Sequence, residues 1–292
     1  LSKQIKWWIP YLFLIPAGVV LVLFFFIPFF ESFLLSFQDY KHNIYQPHWV
    51  GLANYTELFN APVFWKTMVN TFIYLIGAVP VLVVLPLIIA IAVNQKLRGI
   101  NIYRTLIYIP VIVSLVVAGI AWKWLYASNG VLNYFAGLLH INPIGWLTDP
   151  SVAIYSVIAV TVWKGLGYYM VIYLGALTAV PKDLYEAADI DGANVLFKHL
   201  TVTVPHLKPT IALVSIISSI SAMKVFVEIY VMTQGGPLNS SKTIVYYIYQ
   251  RAFENLDLGY ASAAGVVLLV IIMIMSIINM KFFEGGKTSP IA

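Results

Sequence analysis

The sequence predicts an all-α, polytopic membrane protein with six transmembrane helices. Three observations predict it. The 292 residues are 61% hydrophobic and only 10% charged, with a mean hydropathy of +0.86, whereas soluble domains carry about 25% charge. Apolar runs long enough to cross the hydrocarbon core, about 20 residues each, recur along the whole chain. The lysines and arginines fall unevenly on the two sides of those runs, as the positive-inside rule requires.

The expected spans are 9–36, 69–93, 105–126, 152–175, 209–232 and 261–283, within a single membrane domain of residues 1–292. Lys3 and Lys6 precede the first run, which is too long for a signal-peptide core and has no cleavage site, so it reads as a retained helix. Pro16, Pro28, Pro80, Pro86 and Pro110 lie inside spans. Neighbouring helices can satisfy the carbonyls that such prolines free, and the resulting kinks open room for a central cavity. With the N-terminus in the cytoplasm, ten basic residues fall on inner segments and four (Lys41, Lys66, Lys242 and Arg251) on outer ones. That bias puts both termini inside, and the 176–208 loop with them.

Between the spans, Asn54 is expected to cap a short helix whose aromatic residues Phe59, Phe64 and Trp65 rest at the membrane interface. Segment 94–104 is short and basic. Segment 127–150 reads as a surface helix followed by a turn. Gly235-Gly236-Pro237 predicts a tight turn after span five, and the small residues from Gly259 to Gly265 suit close packing at the start of span six.

Loop 176–208 is long for a helix–helix connection and has structure of its own. Pro181 and Asp183 open it as a helix start, with Asp183 as a capping candidate. Leu184, Ala187, Ala188 and Val195 would line one side of a helix interrupted near Gly192. An amphipathic helix on the aqueous face suits docking into a partner's groove.

Much chemistry is excluded. There are no cysteines, and His42, His48, His140, His199 and His206 lack metal-ligand spacing. No G-x-x-x-x-G-K-[ST] loop is present, so the chain should bind no ATP itself. No nucleophile–base set or catalytic carboxylate pair is visible. The net charge of +5 is spread over loop ends rather than gathered in a patch, which argues against nucleic acid.

Ionisable residues inside spans are functional candidates by default. Lys164 lies in span four, Lys224 and Glu228 in span five, Glu31 and Lys123 near span ends. Lys224 and Glu228, four apart, would share a helix face. One reading is an internal ion pair of Glu228 with Lys224 or Lys164. The other is a polar cavity near the midplane, where Lys164, Tyr168, Lys224 and Glu228 meet solute hydroxyls and Trp163 or Phe226 stacks on a ring.

One constellation carries a resemblance. Glu186-Ala187-Ala188, then Gly192, then Val202, Val204 and Pro205, resembles the cytoplasmic "EAA" loop of ABC importer permeases, with valine at both usual Ile and Leu positions. Leu52-Ala53-Asn54-Tyr55, Tyr103-Arg104, Leu174-Gly175-Ala176-Leu177, Thr233 with Gly235-Gly236-Pro237, and Gly259-Tyr260-Ala261 are similar to the carbohydrate-uptake, maltose-type branch. The likeness runs from about residue 10 to 283. The maltose permease's larger subunit has two more N-terminal helices than this sequence.

The resemblance implies a type I ABC importer permease fold in a prokaryotic inner membrane. It implies a second permease subunit, two ATP-binding subunits that hold ATP and Mg, an extracytoplasmic solute-binding protein and a small-molecule solute. Glu186, Ala187, Ala188, Asp191, Gly192 and Pro205 would couple to the ATPase. Glu186 would be the polar contact, the alanines would allow close approach, and Gly192 would make the turn. Sugar-contacting positions of the family fall on Thr161, Lys164, Gly165, Tyr168, Ser221 and Ala222, with Lys224 beside them. Lys164 replaces an apolar residue there, and Ala222 a polar one. A di- or oligosaccharide or glycosylated polyol is the expected solute, with glycerol phosphate as the alternative because two lysines would face one cavity. A secondary transporter should show internal repeats, and a membrane enzyme should show a nucleophile or metal set; the sequence offers neither.

Overall fold

The computed structural model describes residues 8–40, 48–95 and 98–284, without the side chains of residues 9, 10, 283 and 284. Of the basic residues counted on the inner and outer segments, Lys3, Lys6, Lys41, Lys96 and Lys287 lie outside the described residues, as does His42. Among the described residues four helical stretches are long and apolar enough to cross a bilayer: Tyr11–Leu35, Pro62–Val93, Ala153–Leu177 and Leu258–Phe282. Two further candidates are bent pairs, Ile100–Ile112 with Leu115–Leu125 at 98°, and Val195–His206 with Lys208–Met223 at 72°. The runs 105–126 and 209–232, expected as continuous spans, are both interrupted, the first at 113–114 and the second at 224–226. The chain divides into two compact units.

The first unit comprises residues up to Ala61 together with Ile248–Leu268. Helix α1 (Ile9–Leu21) passes through a widened π-helical turn, Val22–Phe26, into α2 (Ile27–Leu35). Pro28 explains the widening: its ring lacks an N–H and presses on the carbonyl four residues back, and one extra residue in the turn relieves both. The most apolar stretch of this rod buries none of its residues. A helix apolar all round is stable when hydrocarbon is its solvent.

Strands β1 (Gln38–Asp39) and β2 (His48–Trp49) pair antiparallel, and α3 (Ala53–Asn60) follows. Asn54 does not cap α3. It is buried, and its Nδ2 donates to the carbonyls of Ser36 at 2.9 Å and Gln38 at 3.0 Å. Buried carbonyls need donors, and the amide meets two of them at once. Ser36 Oγ donates to the Phe33 carbonyl at 2.6 Å and lies 2.7 Å from Tyr55 Oη. In the 248–268 part, Arg251 lies 4.5 Å from the centroid of the Tyr260 ring.

The second unit comprises Pro62–Tyr247 and the chain from Leu269 onward. It contains α4 (Pro62–Val93), α5 (Ile100–Ile112), α6 (Leu115–Leu125), α7 (Val131–Leu138) and α8 (Ala153–Leu177). After these come α9 (Lys182–Ile190), α10 (Val195–Lys198), α11 (Val204–His206), α12 (Lys208–Met223) and α13 (Val227–Met232). Helix α14 (Ile244–Tyr249) leads to α15 (Leu258–Glu284), whose last part also belongs here.

Helix α8 packs on α4 and α5, α12 on α4 and α8, and α13 on α6 and α8. Tyr74, Met170 and Tyr173 are fully buried among them. At the α5–α8 crossing a Cβ on Gly167 would lie 2.5 Å from the Ile107 carbonyl oxygen, so only glycine permits this approach. Arg104 closes the end of α4, donating to the Val93 carbonyl from Nε at 3.1 Å and Nη2 at 2.6 Å. Asn133 of α7 binds the following turn by donating to the Ile144 carbonyl at 3.1 Å and accepting from its N–H at 2.9 Å.

Candidate functional site

The cavity in the second unit begins with two helix breaks. Helix α5 stops at Ile112 because Val113 and Ser114 turn extended, with ψ of 134° and 136°. Its last carbonyls are then without intrahelical partners. Lys164, reaching across from α8, supplies them: Nζ donates to the carbonyls of Pro110 at 3.1 Å, Val111 at 3.2 Å and Val113 at 2.6 Å. Its positive charge also sits at the negative end of the helix dipole. All three ammonium hydrogens are engaged.

The second break separates α12 from α13. Helix α12 ends at Met223, residues 224–226 are not helical, and α13 starts at Val227. Lys224 and Glu228 therefore do not share a helix face, although they lie four residues apart. Lys224 is exposed and lies outside the cavity lining, whereas Glu228 belongs to it. Among the described residues Glu228 forms no ion pair with Lys164 or Lys224; it accepts from Thr161 Oγ1 at a long 3.4 Å. The expectation of two lysines facing one cavity is corrected: one is outside, and the other is committed to backbone.

The cavity has a volume of about 180 Å³, somewhat larger than the roughly 150 Å³ engineered cavity that admits benzene. Helix α4 gives Tyr74, α6 gives Leu115, and α13 gives Glu228. From α8 come Thr161, Lys164, Gly165 and Tyr169, and from α12 come Ser218, Ser221 and Ala222. Tyr74 Oη and Thr161 Oγ1 are hydrogen-bonded, so a polar chain runs Tyr74–Thr161–Glu228 across three helices.

Thr161, Lys164, Gly165, Ser221, Ala222 and Glu228 thus converge as the sequence suggested, while Tyr168 and Lys224 do not. Tyr168 is 43% exposed and meets Tyr169 edge-on, with 5.1 Å between centroids. One residue along a helix turns a side chain by about 100°, and here the turn brings Tyr169 to the cavity. The two stacking candidates face other protein rings: Trp163 meets Trp122 at 5.4 Å, and Phe226 stacks on Tyr230 at 5.5 Å. Sequence reasoning missed Tyr74, Tyr169 and Ser218. Which of two adjacent tyrosines faces inward left no mark in the sequence, and Tyr74 reaches a partner 87 residues away.

Loop 176–208 folds into a compact unit of short helices. Helix α9 carries Glu186 and Ala187 exposed and Ala188 half-buried. Asp183 sits within its first turn and makes no side-chain cap; Pro181 holds the capping position. The turn at Gly192 has φ of +74°, with Gly192 N–H donating to the Asp189 carbonyl at 3.1 Å and Ala193 N–H to the Ala188 carbonyl at 3.0 Å. These are the two bonds of a Schellman motif, whose left-handed residue favours glycine. Asn194 then caps α10, its Oδ1 accepting from the Phe197 N–H at 2.8 Å.

Buried Thr203 ties the loop together through Tyr185 Oη at 2.8 Å and His199 Nδ1 at 2.9 Å. Lys198 and Asp189 form an ion pair. Leu184, Ala187, Ala188, Asp191, Gly192 and Phe197 line a groove of about 530 Å³. Val195, expected beside Leu184, is 69% exposed and outside that lining. Pro205 is exposed in α11.

Comparison with known proteins bears on what this arrangement serves. Residues 50–284 match the family of the binding-protein-dependent transport system inner membrane component. The chain is 36% identical over 282 residues to the arabinooligosaccharides transport system permease protein AraP of Bacillus subtilis, covering 95% of this chain and 89% of that one. It is 35% identical over 275 residues to the lactose transport system permease protein LacF of Rhizobium radiobacter, 92% of each. Among solved structures it superposes on a bacterial ABC transporter involved in import of the acidic polysaccharide alginate, with a TM-score of 0.83, 22% identity and 96% of each chain covered. This chain belongs to the binding-protein-dependent inner membrane component family and is a multi-pass permease subunit rather than an enzyme.

Proposed function

We propose that this chain is one transmembrane subunit of an ATP-driven importer that receives a sugar or sugar-like solute, such as a di- or oligosaccharide or glycosylated polyol, from an extracytoplasmic binding protein. The observation that carries the reading is the cavity between α4, α6, α8, α12 and α13. It presents hydroxyls and one carboxylate among membrane helices, and polar groups at that depth mark solute pathways. The names of AraP and LacF support a sugar. A solved alginate transporter complexed with a pentasaccharide-bound periplasmic protein shares the fold, with a TM-score of 0.81, and supports the binding-protein partner. Glycerol phosphate loses its premise with the positions of Lys164 and Lys224.

In this reading both termini and loop 176–208 are cytoplasmic. A second permease subunit completes the pathway, and ATP with Mg is held by two partner ATPase subunits. Helix α9 and the Gly192 turn form a preformed, exposed body that an ATPase can grip. Glu186 offers the polar contact, Ala187 and Ala188 allow close approach, and Asp191 and Pro205 complete the surface. Closure of the ATPase dimer would move this body as a lever and turn the cavity toward the binding protein, and hydrolysis would return it.

The test is gentle purification of the tagged chain from native membrane, followed by identification of what accompanies it. A nucleotide-binding subunit and a second permease are expected. A chain that emerges alone and moves solute in ATP-free vesicles would refute the importer reading. In the assembled complex Glu186→Lys is expected to abolish binding-protein-stimulated ATP hydrolysis while the subunits still co-purify. Full stimulation would remove Glu186 from the coupling contact.

A further inference from the structure

We propose that Glu228 is the specificity determinant of the α4–α6–α8–α12–α13 cavity, selecting an uncharged, hydroxyl-rich solute and excluding one that carries a carboxylate or phosphate. The inference rests on the reading above that this cavity is the solute site.

Recognition of a buried anion needs charge-assisted donors, supplied by lysine or arginine. Lys164 is the basic residue of this lining, and its three N–H groups are given to the carbonyls of Pro110, Val111 and Val113. The charge still borders the cavity beside Glu228, but no N–H remains to donate to an anion. Ser218 is committed in the same way, donating to the Val214 carbonyl at 2.7 Å and approaching that of Ser215 at 3.2 Å.

The remaining polar groups run toward an acceptor. Thr161 has one hydroxyl hydrogen, and with that hydrogen directed at Glu228 the Tyr74 hydroxyl donates to Thr161. The chain of donors ends on Glu228, whose carboxylate receives, among the described residues, only that 3.4 Å side-chain contact beside a bond from its own backbone N–H. Its lone pairs suit solute hydroxyls, which donate strongly to a carboxylate. As a carboxylate it repels an anionic solute in a low-dielectric site; protonated, it still supplies no positive charge. An anion entering here would be desolvated beside Glu228 without a free charge-assisted donor to bind it, whereas a neutral polyol exchanges water for Glu228, Ser221 and Tyr169.

The experiment uses the purified importer complex in lipid nanodiscs without its binding protein, so that selection by that protein does not intervene. Equilibrium dialysis measures binding of radiolabelled lactose, arabinotriose and maltotriose and of the three aldonates made from them. Wild type is expected to bind at least one neutral sugar about tenfold or more tighter than its aldonate, and Glu228→Gln, nearly isosteric, to narrow that ratio to about threefold or less. Lys164→Gln removes the one cation of this lining and is expected to keep or widen that ratio, never to narrow it, even where it weakens both ligands.

Equal wild-type affinity for sugar and aldonate overturns the proposal, as does a ratio narrowed by Lys164→Gln and untouched by Glu228→Gln. Failure of the wild type to bind any of the six overturns instead the reading of this cavity as the solute site. Co-elution of the Glu228→Gln chain with its partner subunits shows that the variant is folded.

Discussion

Lys164→Met keeps the aliphatic stem of the side chain and deletes the ammonium that closes the end of α5. Three hydrogen bonds are lost at once, to Pro110, Val111 and Val113. Interhelical hydrogen bonds in membrane proteins average ~0.6 kcal/mol, which sets a floor of about 2 kcal/mol for three. Bonds to charged groups start at ~1.5 kcal/mol each, which for three gives about 5 kcal/mol. Loss of the charge–dipole interaction lies within that range.

The expected destabilisation is therefore roughly 2–5 kcal/mol. It should be concentrated where the chain turns through 98° between α5 and α6. Reversible unfolding in mixed micelles, followed by tryptophan fluorescence, reads the total; Trp122 and Trp124 on α6 and Trp163 on α8 are the nearby reporters. Hydrogen exchange across 111–116 reads the location. Lys164→Arg should recover much of the loss, because guanidinium also donates to carbonyls. A Lys164→Met chain within about 0.5 kcal/mol of wild type, with unchanged exchange at the bend, would mean that water or lipid headgroups satisfy those carbonyls and that the lysine is not what holds the break.

Other expectations follow from single positions. Gly192→Ala forces a Cβ into φ of +74° and should cost the loop ~1–2 kcal/mol. It should appear as faster exchange at Gly192 and Ala193, with Gly192→Asn losing clearly less because asparagine tolerates the left-handed region. Gly167→Ala would set a Cβ 2.5 Å from the Ile107 carbonyl and should cost ~1–3 kcal/mol as overpacking. An engineered disulfide between α5 and α8 that forms in wild type should then form more slowly; an unchanged rate would show that the two helices separate without penalty.

Much of this protein was legible in its sequence for a simple reason. Hydrocarbon accepts only apolar helices with internally satisfied backbones, so apolar runs announce spans. The Gly192 turn was legible too, because a left-handed residue between two amphipathic segments calls for glycine. Glu228 was visible as a charge that hydrocarbon would not tolerate unaccompanied.

What accompanies Glu228 was not visible. Tyr74 lies 87 residues from Thr161, and no local pattern marks their meeting. The same holds for Lys164. As a sequence feature it is a lysine in a span, equally suited to an ion pair or a solute. Only the packing of α8 beside the broken end of α5 commits it to three carbonyls. The sequence by itself determined the class of solvent, the number of apolar runs and the glycine turn of the exposed loop, since each follows from local composition and backbone rules. Tertiary structure decided where spans break, which tyrosine turns inward and which lysine lines the cavity beside Glu228. Those depend on donors and acceptors brought together from distant helices.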